Sequence, residues 1–164
     1  MPHTFENMVR SRGRKLVAGV DEAGRGPLAG PVVAAAVILP EGLVIQGLTD
    51  SKALTAGQRR RLYDVVLEKA LAVGVGVADS TMVDQVNVLQ ATLLAMRDAT
   101  QELSPAPDML LIDGLNTIDW PGAQQAIVKG DTLSHSISAA SVVAKVTRDA
   151  MMEKLAQMYP QYGF

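Results

Sequence analysis

The sequence predicts an α/β fold, a mixed sheet with helices packed on it. Three observations lead there. Apolar runs rich in Val and Ile come first and follow one another through short turns, as in an antiparallel meander. Later runs of the same kind alternate with stretches of helical periodicity, which sets helices against a sheet. The composition, 48% hydrophobic but only 4% aromatic, calls for a core of Val, Leu, Ile, Ala and Met.

Residues 1–14 are polar and basic and read as a flexible lead-in. Strands are expected at residues 15–20 and 32–39, which makes 22–31 a strand–strand turn. A third strand is expected at 43–48, after Pro40-Glu41-Gly42. Asp50-Ser51-Lys52 leads to Thr55, an N-cap for a helix reaching about residue 70, with Leu62, Val65, Val66 and Leu67 facing inward. Residues 71–78 form a strand whose Gly74 and Gly76 imply that another element packs closely on it. Ser80 or Thr81 opens a short helix, and a longer one covers 88–102. After the Pro105/Pro107 break, Met109-Leu110-Leu111-Ile112 has the pattern of a central strand, ending on Asp113-Gly114. A strand at 126–128 ends on Lys129-Gly130-Asp131. One long helix then covers 136–158, with Ile137, Ala140, Val143, Ala144, Val146 and Thr147 inward and Arg148, Asp149, Glu153 and Lys154 toward solvent.

With 164 residues and neither an internal repeat nor a low-complexity tract, the chain is expected to be a single domain. Its net charge is −2, unlike that of a bulk nucleic-acid binder. Arg10, Arg12, Arg14 and Lys15 form one basic run and Arg59, Arg60 and Arg61 another. Such runs read first as solvated faces, with phosphate contact as the alternative. The absence of cysteine excludes disulfides and thiolate metal sites. No signal-peptide pattern is present, and no apolar run approaches the ~20 residues that span a bilayer. The expected location is the cytoplasm.

The chemistry gathers around residues 17–30. An apolar run, Val17 to Val20, delivers two adjacent acids, Asp21 and Glu22, and a glycine-rich turn with Gly24, Arg25, Gly26 and Gly30 follows. Burying unpaired carboxylates is unfavourable, so the pair needs cations or a wet rim. A solvated turn is one reading. A dinucleotide-binding turn is a second, but it would have to open a helix, whereas Pro27 precedes a β-branched run. A metal site is the third, and it predicts further acids from elsewhere in the chain.

Those acids exist. Asp113 and Asp131 each follow a strand, and ligand sites in α/β sheets gather at strand carboxyl ends. If the first strand neighbours the one ending at Asp113, Asp21 and Asp113 face one crevice. Taken singly, Asp113 also reads as a turn residue, Asp131 as a helix N-cap and Asp149 as a surface acid. Together, four carboxylates repel one another and raise each other's pKa until cations arrive. Oxygen-only donors favour Mg²⁺ or Mn²⁺ over Zn²⁺. Two such ions ~4 Å apart suit in-line phosphodiester hydrolysis.

Five segments in order carry a resemblance: Asp21-Glu22-Ala23-Gly24-Arg25-Gly26-Pro27, Asp50-Ser51-Lys52, Leu111-Ile112-Asp113-Gly114, Lys129-Gly130-Asp131, and residues 137–149. Together they resemble bacterial ribonuclease HII. The resemblance implies a ribonuclease H-like fold with a mixed five-stranded sheet flanked by helices. It implies an endoribonuclease that cuts the RNA strand of RNA–DNA hybrids and cuts 5′ of single ribonucleotides in duplex DNA, leaving 5′-phosphate and 3′-hydroxyl ends. Asp21, Glu22, Asp113 and Asp131 would be its catalytic, metal-binding acids, with Mn²⁺ or Mg²⁺ as cofactor. Gly24, Arg25 and Gly26 would sense the ribose 2′-hydroxyl, which distinguishes RNA from DNA. Lys52, Ser138 and Ser141 would contact substrate. The expected partner is an RNA–DNA hybrid or ribonucleotide-containing duplex, and the expected state is a monomer with no membrane association. The family continues beyond the position of Phe164 into a tail with a junction-sensing tyrosine and a further helix. Neither Tyr159 nor Tyr162 is assigned that tyrosine's role, and a hybrid-binding module impaired in catalysis is the alternative expectation.

Overall fold

The computed structural model describes residues 4–24, 30–48 and 53–159. The elements are α1 (Thr4–Ser11), β1 (Val17–Ala23), β2 (Val32–Ile38), α2 (Ala56–Lys69), β3 (Ala72–Ala78), α3 (Ser80–Val86), α4 (Val88–Gln101), β4 (Met109–Asp113), β5 (Ala123–Ile127), α5 (Gly130–Leu133) and α6 (His135–Met158). The five strands form one sheet in the order β3-β2-β1-β4-β5. β2 runs antiparallel to β1 and to β3, and β1, β4 and β5 are parallel, so the sheet is mixed.

Both faces of this sheet are covered, and the alternation along β2 shows how. Val32, Ala34, Ala36 and Ile38 pack on one side with Ala91, Ala95, Met96 and Ala99 of α4. Ala35 and Val37 pack on the other with Val66 of α2 and Ala139, Ala140 and Val143 of α6. A strand buried on both faces reads as a continuous apolar run. Close packing on β3 is also observed. A Cβ at Gly74 or Gly76 would overlap the carbonyl oxygens of Ala99 or Ala95, so only glycine admits α4 there. Likewise, a Cβ at Gly19 would overlap the Ser136 backbone, which lets the first turn of α6 lie directly on β1. Thr55 caps α2 in a reciprocal capping box with Gln58, as its position before the helix implies.

Four expectations need correction. Residues 43–48 form no strand. β3 already pairs with β2 along seven positions, from Val32↔Ala78 to Ile38↔Ala72, and β1 holds its other side, so no edge of β2 is left for them. They turn instead at Gly42 (φ 77°) and Gly47 (φ 86°) and bury Ile45 and Leu48. Residues 4–11, part of the expected flexible lead-in, form α1, whose Val9 packs with Val17, Leu111, Ile127 and Ile137. Leu67 faces outward, and Tyr63 packs inward in its place. The last strand is β5, Ala123–Ile127, and Val128 lies exposed beyond it. The dinucleotide reading fails because the segment after the glycine turn is strand β2.

Candidate active site

β1 and β4 are parallel neighbours in register Val20↔Ile112, so the next residues, Asp21 and Asp113, stand level at the carboxyl end of the sheet. The buried residues Val17, Ala18 and Val20 hold β1 in the core and thereby fix its acidic end. Carboxylate oxygens of Asp21, Glu22 and Asp113 lie within 4.8 Å of one another. Asp21 is buried, and its Oδ1 accepts the Glu22 N–H at 2.8 Å. Burial, followed by the charges of Glu22 and Asp113, raises the Asp21 carboxyl well above the usual carboxylate range.

Asp131 arrives from α5. Lys129 takes a left-handed conformation (φ 56°) immediately before that helix and turns the chain back toward β4. The Asp131 N–H then donates to Asp113 Oδ1 at 3.2 Å, and the Ser138 hydroxyl donates to the Asp131 carbonyl. Asp131 therefore lines the same 420 Å³ cleft as the other three acids but stands outside their tight oxygen group. It does not cap α6, whose N-cap is Ser134, accepting from the Ile137 N–H at 3.2 Å.

Ser141 lines the cleft. Ser138 is fully buried, and its hydroxyl is engaged with Asp131, so it positions an acid and does not face the cleft. Gly24 lines the cleft with φ 92°, a conformation that favours glycine. Arg25, Gly26 and Lys52 lie outside the described residues.

Sequence reasoning misplaced or passed over four side chains, two of which line the cleft. Arg148, expected toward solvent, is buried, and its Nε donates to the Pro31 carbonyl at 2.8 Å. A Cβ at Gly24 would overlap this side chain, which thus packs beneath the start of the glycine turn. The signal was present: Ala140, Ala144 and Arg148 are spaced by four on the inward stripe, but the charge argued for solvent. Arg59 and Lys145 line the cleft; Arg59 stood in a basic run read first as a solvated face, with phosphate contact as the alternative, and Lys145 stood in the 137–149 segment with no role assigned. Glu6 of α1 is a buried acid that anchors the start of α6. Its Oε1 accepts from the Ser134 hydroxyl and from the Ser136 N–H at 3.3 Å.

Three clustered carboxylates, one of them buried and resisting ionisation, fit a hard divalent cation, whose charge removes their mutual repulsion. Among the described residues, no helix is long and apolar enough to cross a membrane.

The chain matches the sequence model of the family described as Ribonuclease HII over residues 18–163. It is 56% identical over 160 residues to ribonuclease HII of Geobacter sulfurreducens, covering 98% of this chain and 74% of that relative. It is 51% identical over 161 residues to ribonuclease HII of Bacillus subtilis, covering 98% of this chain and 63% of that one. Among solved structures, ribonuclease H2 from Pyrococcus horikoshii OT3 is similar with a TM-score of 0.74 at 31% identity, over 87% of this chain and 76% of that chain. Bst-RNase HIII in complex with Mn²⁺ has a TM-score of 0.77 over 88% of this chain and 55% of that chain. At 20% identity that likeness speaks to the fold, the ribonuclease H-like arrangement of a mixed five-stranded sheet flanked by helices.

Proposed function

The chain belongs to the ribonuclease HII family of metal-dependent ribonucleases acting on RNA–DNA hybrids, and on that premise we propose that it also cuts 5′ of a single ribonucleotide embedded in duplex DNA, leaving 5′-phosphate and 3′-hydroxyl ends. The observation that carries this reading is the oxygen group of Asp21, Glu22 and Asp113 at the level ends of two parallel strands. Asp21, Glu22, Asp113 and Asp131 would hold two Mn²⁺ or Mg²⁺ ions, which when bound supply an activated water and stabilise charge on the leaving oxygen.

The chain's own groups orient these acids. The Glu22 N–H fixes one Asp21 oxygen, and the Asp131 N–H fixes one Asp113 oxygen, so neither carboxylate rotates freely. Ser138 ties the Asp131 backbone to α6. Ser141, on the cleft wall, offers a hydroxyl to a phosphate oxygen. Gly24, Arg25 and Gly26 are proposed to approach the ribose 2′-hydroxyl, a contact that needs backbone unobstructed by side chains, and Lys52 to contact a phosphate. The protein is proposed to work as a cytoplasmic monomer.

The test is cleavage of a DNA duplex carrying one ribonucleotide, in Mn²⁺, with products mapped to the nucleotide. A single cut 5′ of the ribonucleotide is expected, and it should be nearly abolished by Asp113→Asn. Cleavage of an all-RNA hybrid strand with none at the single ribonucleotide would remove the finer reading. Undiminished cutting by Asp113→Asn would remove the site assignment.

A further inference from the structure

Beyond the acids, the cleft carries two cations from different elements. Arg59 comes from α2 and Lys145 from α6, one turn after Ser141, and both line the cleft beside Asp21, Glu22 and Asp113. Both are oriented by one acid outside that lining. Asp149 accepts from Lys145 Nζ at 2.8 Å through Oδ1, and Arg59 Nη1 lies 4.0 Å from its Oδ2. Arg59 is held from a second direction, its Nη2 donating to the Leu54 carbonyl at 3.1 Å. The arginine side chain is only 17% exposed, whereas Lys145 and Asp149 are each 46% exposed.

A purely structural reading explains this poorly. Ion pairs as open as Lys145–Asp149 contribute little to stability. Their position matters more. Any nucleic-acid strand entering this cleft brings negative phosphates toward four carboxylates. Cations on the rim offset that repulsion, and an arginine fork and a lysine point charge are the usual phosphate donors.

We infer that Arg59 and Lys145 form a two-cation phosphate clamp at the rim of the acidic cleft, gripping backbone phosphates of the strand to be cut, with Asp149 holding both cations in place until substrate arrives. This deepens the proposed function and rests on it. The clamp contributes binding and register, not chemistry.

Counterion release provides a readout that a structural role would not move. Each phosphate contact contributes about −0.9 to the slope of log affinity against log salt. Binding of a fluorescent RNA–DNA hybrid would be measured by anisotropy in EDTA, at salt between about 50 and 200 mM. Cleavage would be measured in parallel in Mn²⁺. Lys145→Ala should flatten the slope by about one contact, so its affinity deficit narrows about 3.5-fold across that range. Arg59→Ala should do the same. KM should rise while kcat holds, and Lys145→Arg should restore the slope. Lys145 is exposed enough that its alanine variant should fold normally, which keeps the test valid if Arg59→Ala proves unstable. A Lys145→Ala protein that keeps the wild-type slope and KM while wild type binds and cuts would overturn the clamp and leave the proposed function standing. Wild-type protein that neither binds nor cuts a hybrid would overturn both.

Discussion

Replacing Asp21 by Asn should make the metal-free protein more stable while removing its activity. Asp21 sits within 4.8 Å of carboxylate oxygens on both Glu22 and Asp113. Two unit charges at that distance repel by about 2–3 kcal/mol at an effective dielectric of roughly 20–40. Proton uptake already relieves part of this, because burial and the two neighbours raise the Asp21 pKa. A net gain of about 1–2 kcal/mol is therefore expected, and about 2–8 °C in Tm for a chain of this length. Asn keeps the Oδ1 acceptor for the Glu22 N–H, so the local geometry survives. The sign with pH follows from the raised folded value. Asp21 favours folding fully below its unfolded pKa, and that contribution is lost as pH rises through the folded pKa. The gap between variant and wild type should thus be small in acid and widen toward neutral and alkaline pH. The assay is thermal unfolding in EDTA from about pH 4 to 8, repeated in Mn²⁺. With Mn²⁺ the order should reverse, since saturation at about a hundred times Kd stabilises only the protein that binds, by about 2.7 kcal/mol. An Asn variant less stable than wild type in EDTA at neutral pH would refute the repulsion argument. Equal stabilisation of both by Mn²⁺ would refute the ligand role.

Three further outcomes follow from the same geometry. Ser138→Ala removes the hydroxyl that holds the Asp131 carbonyl; kcat should fall about 10–100-fold, within the range for groups that orient ligands, while Mn²⁺ binding at Asp21, Glu22 and Asp113 persists in calorimetry. Glu6→Ala strands the Ser134 hydroxyl and the Ser136 N–H in the core, and urea unfolding should show a loss of about 2–3 kcal/mol. Gly76→Val drives a side chain into the Ala95 carbonyl of α4, and its urea midpoint should drop by the equivalent of at least about 1–3 kcal/mol.

What could be read from the sequence was what local pattern dictates. The continuous apolar run of β2 announced a strand buried on both faces. Thr55 announced the start of α2, and Gly74 with Gly76 announced that some element packs closely on β3, which the structure identifies as α4. Asp21 and Asp113 were legible as a pair once β1 and β4 were taken as neighbours. Non-local competition was not legible. Residues 43–48 are as apolar as a strand, yet β3, two elements later in the chain, takes the only edge of β2 left by β1. Helix α1 is polar in sequence and owes its place to Val9 and Glu6, which dock on residues more than a hundred positions away in the chain as well as on nearby β1. Arg148 shows the same limit, since its charge pointed to solvent while its partner, the Pro31 carbonyl, lies 117 residues away.

The most direct test of the central claim, that Asp21, Glu22 and Asp113 form one divalent-cation site, is a calorimetric Mn²⁺ titration of wild type against Asp113→Asn at neutral pH. Wild type should show saturable binding, and the variant's affinity should be at least about tenfold weaker. Indistinguishable isotherms for the two proteins would contradict it.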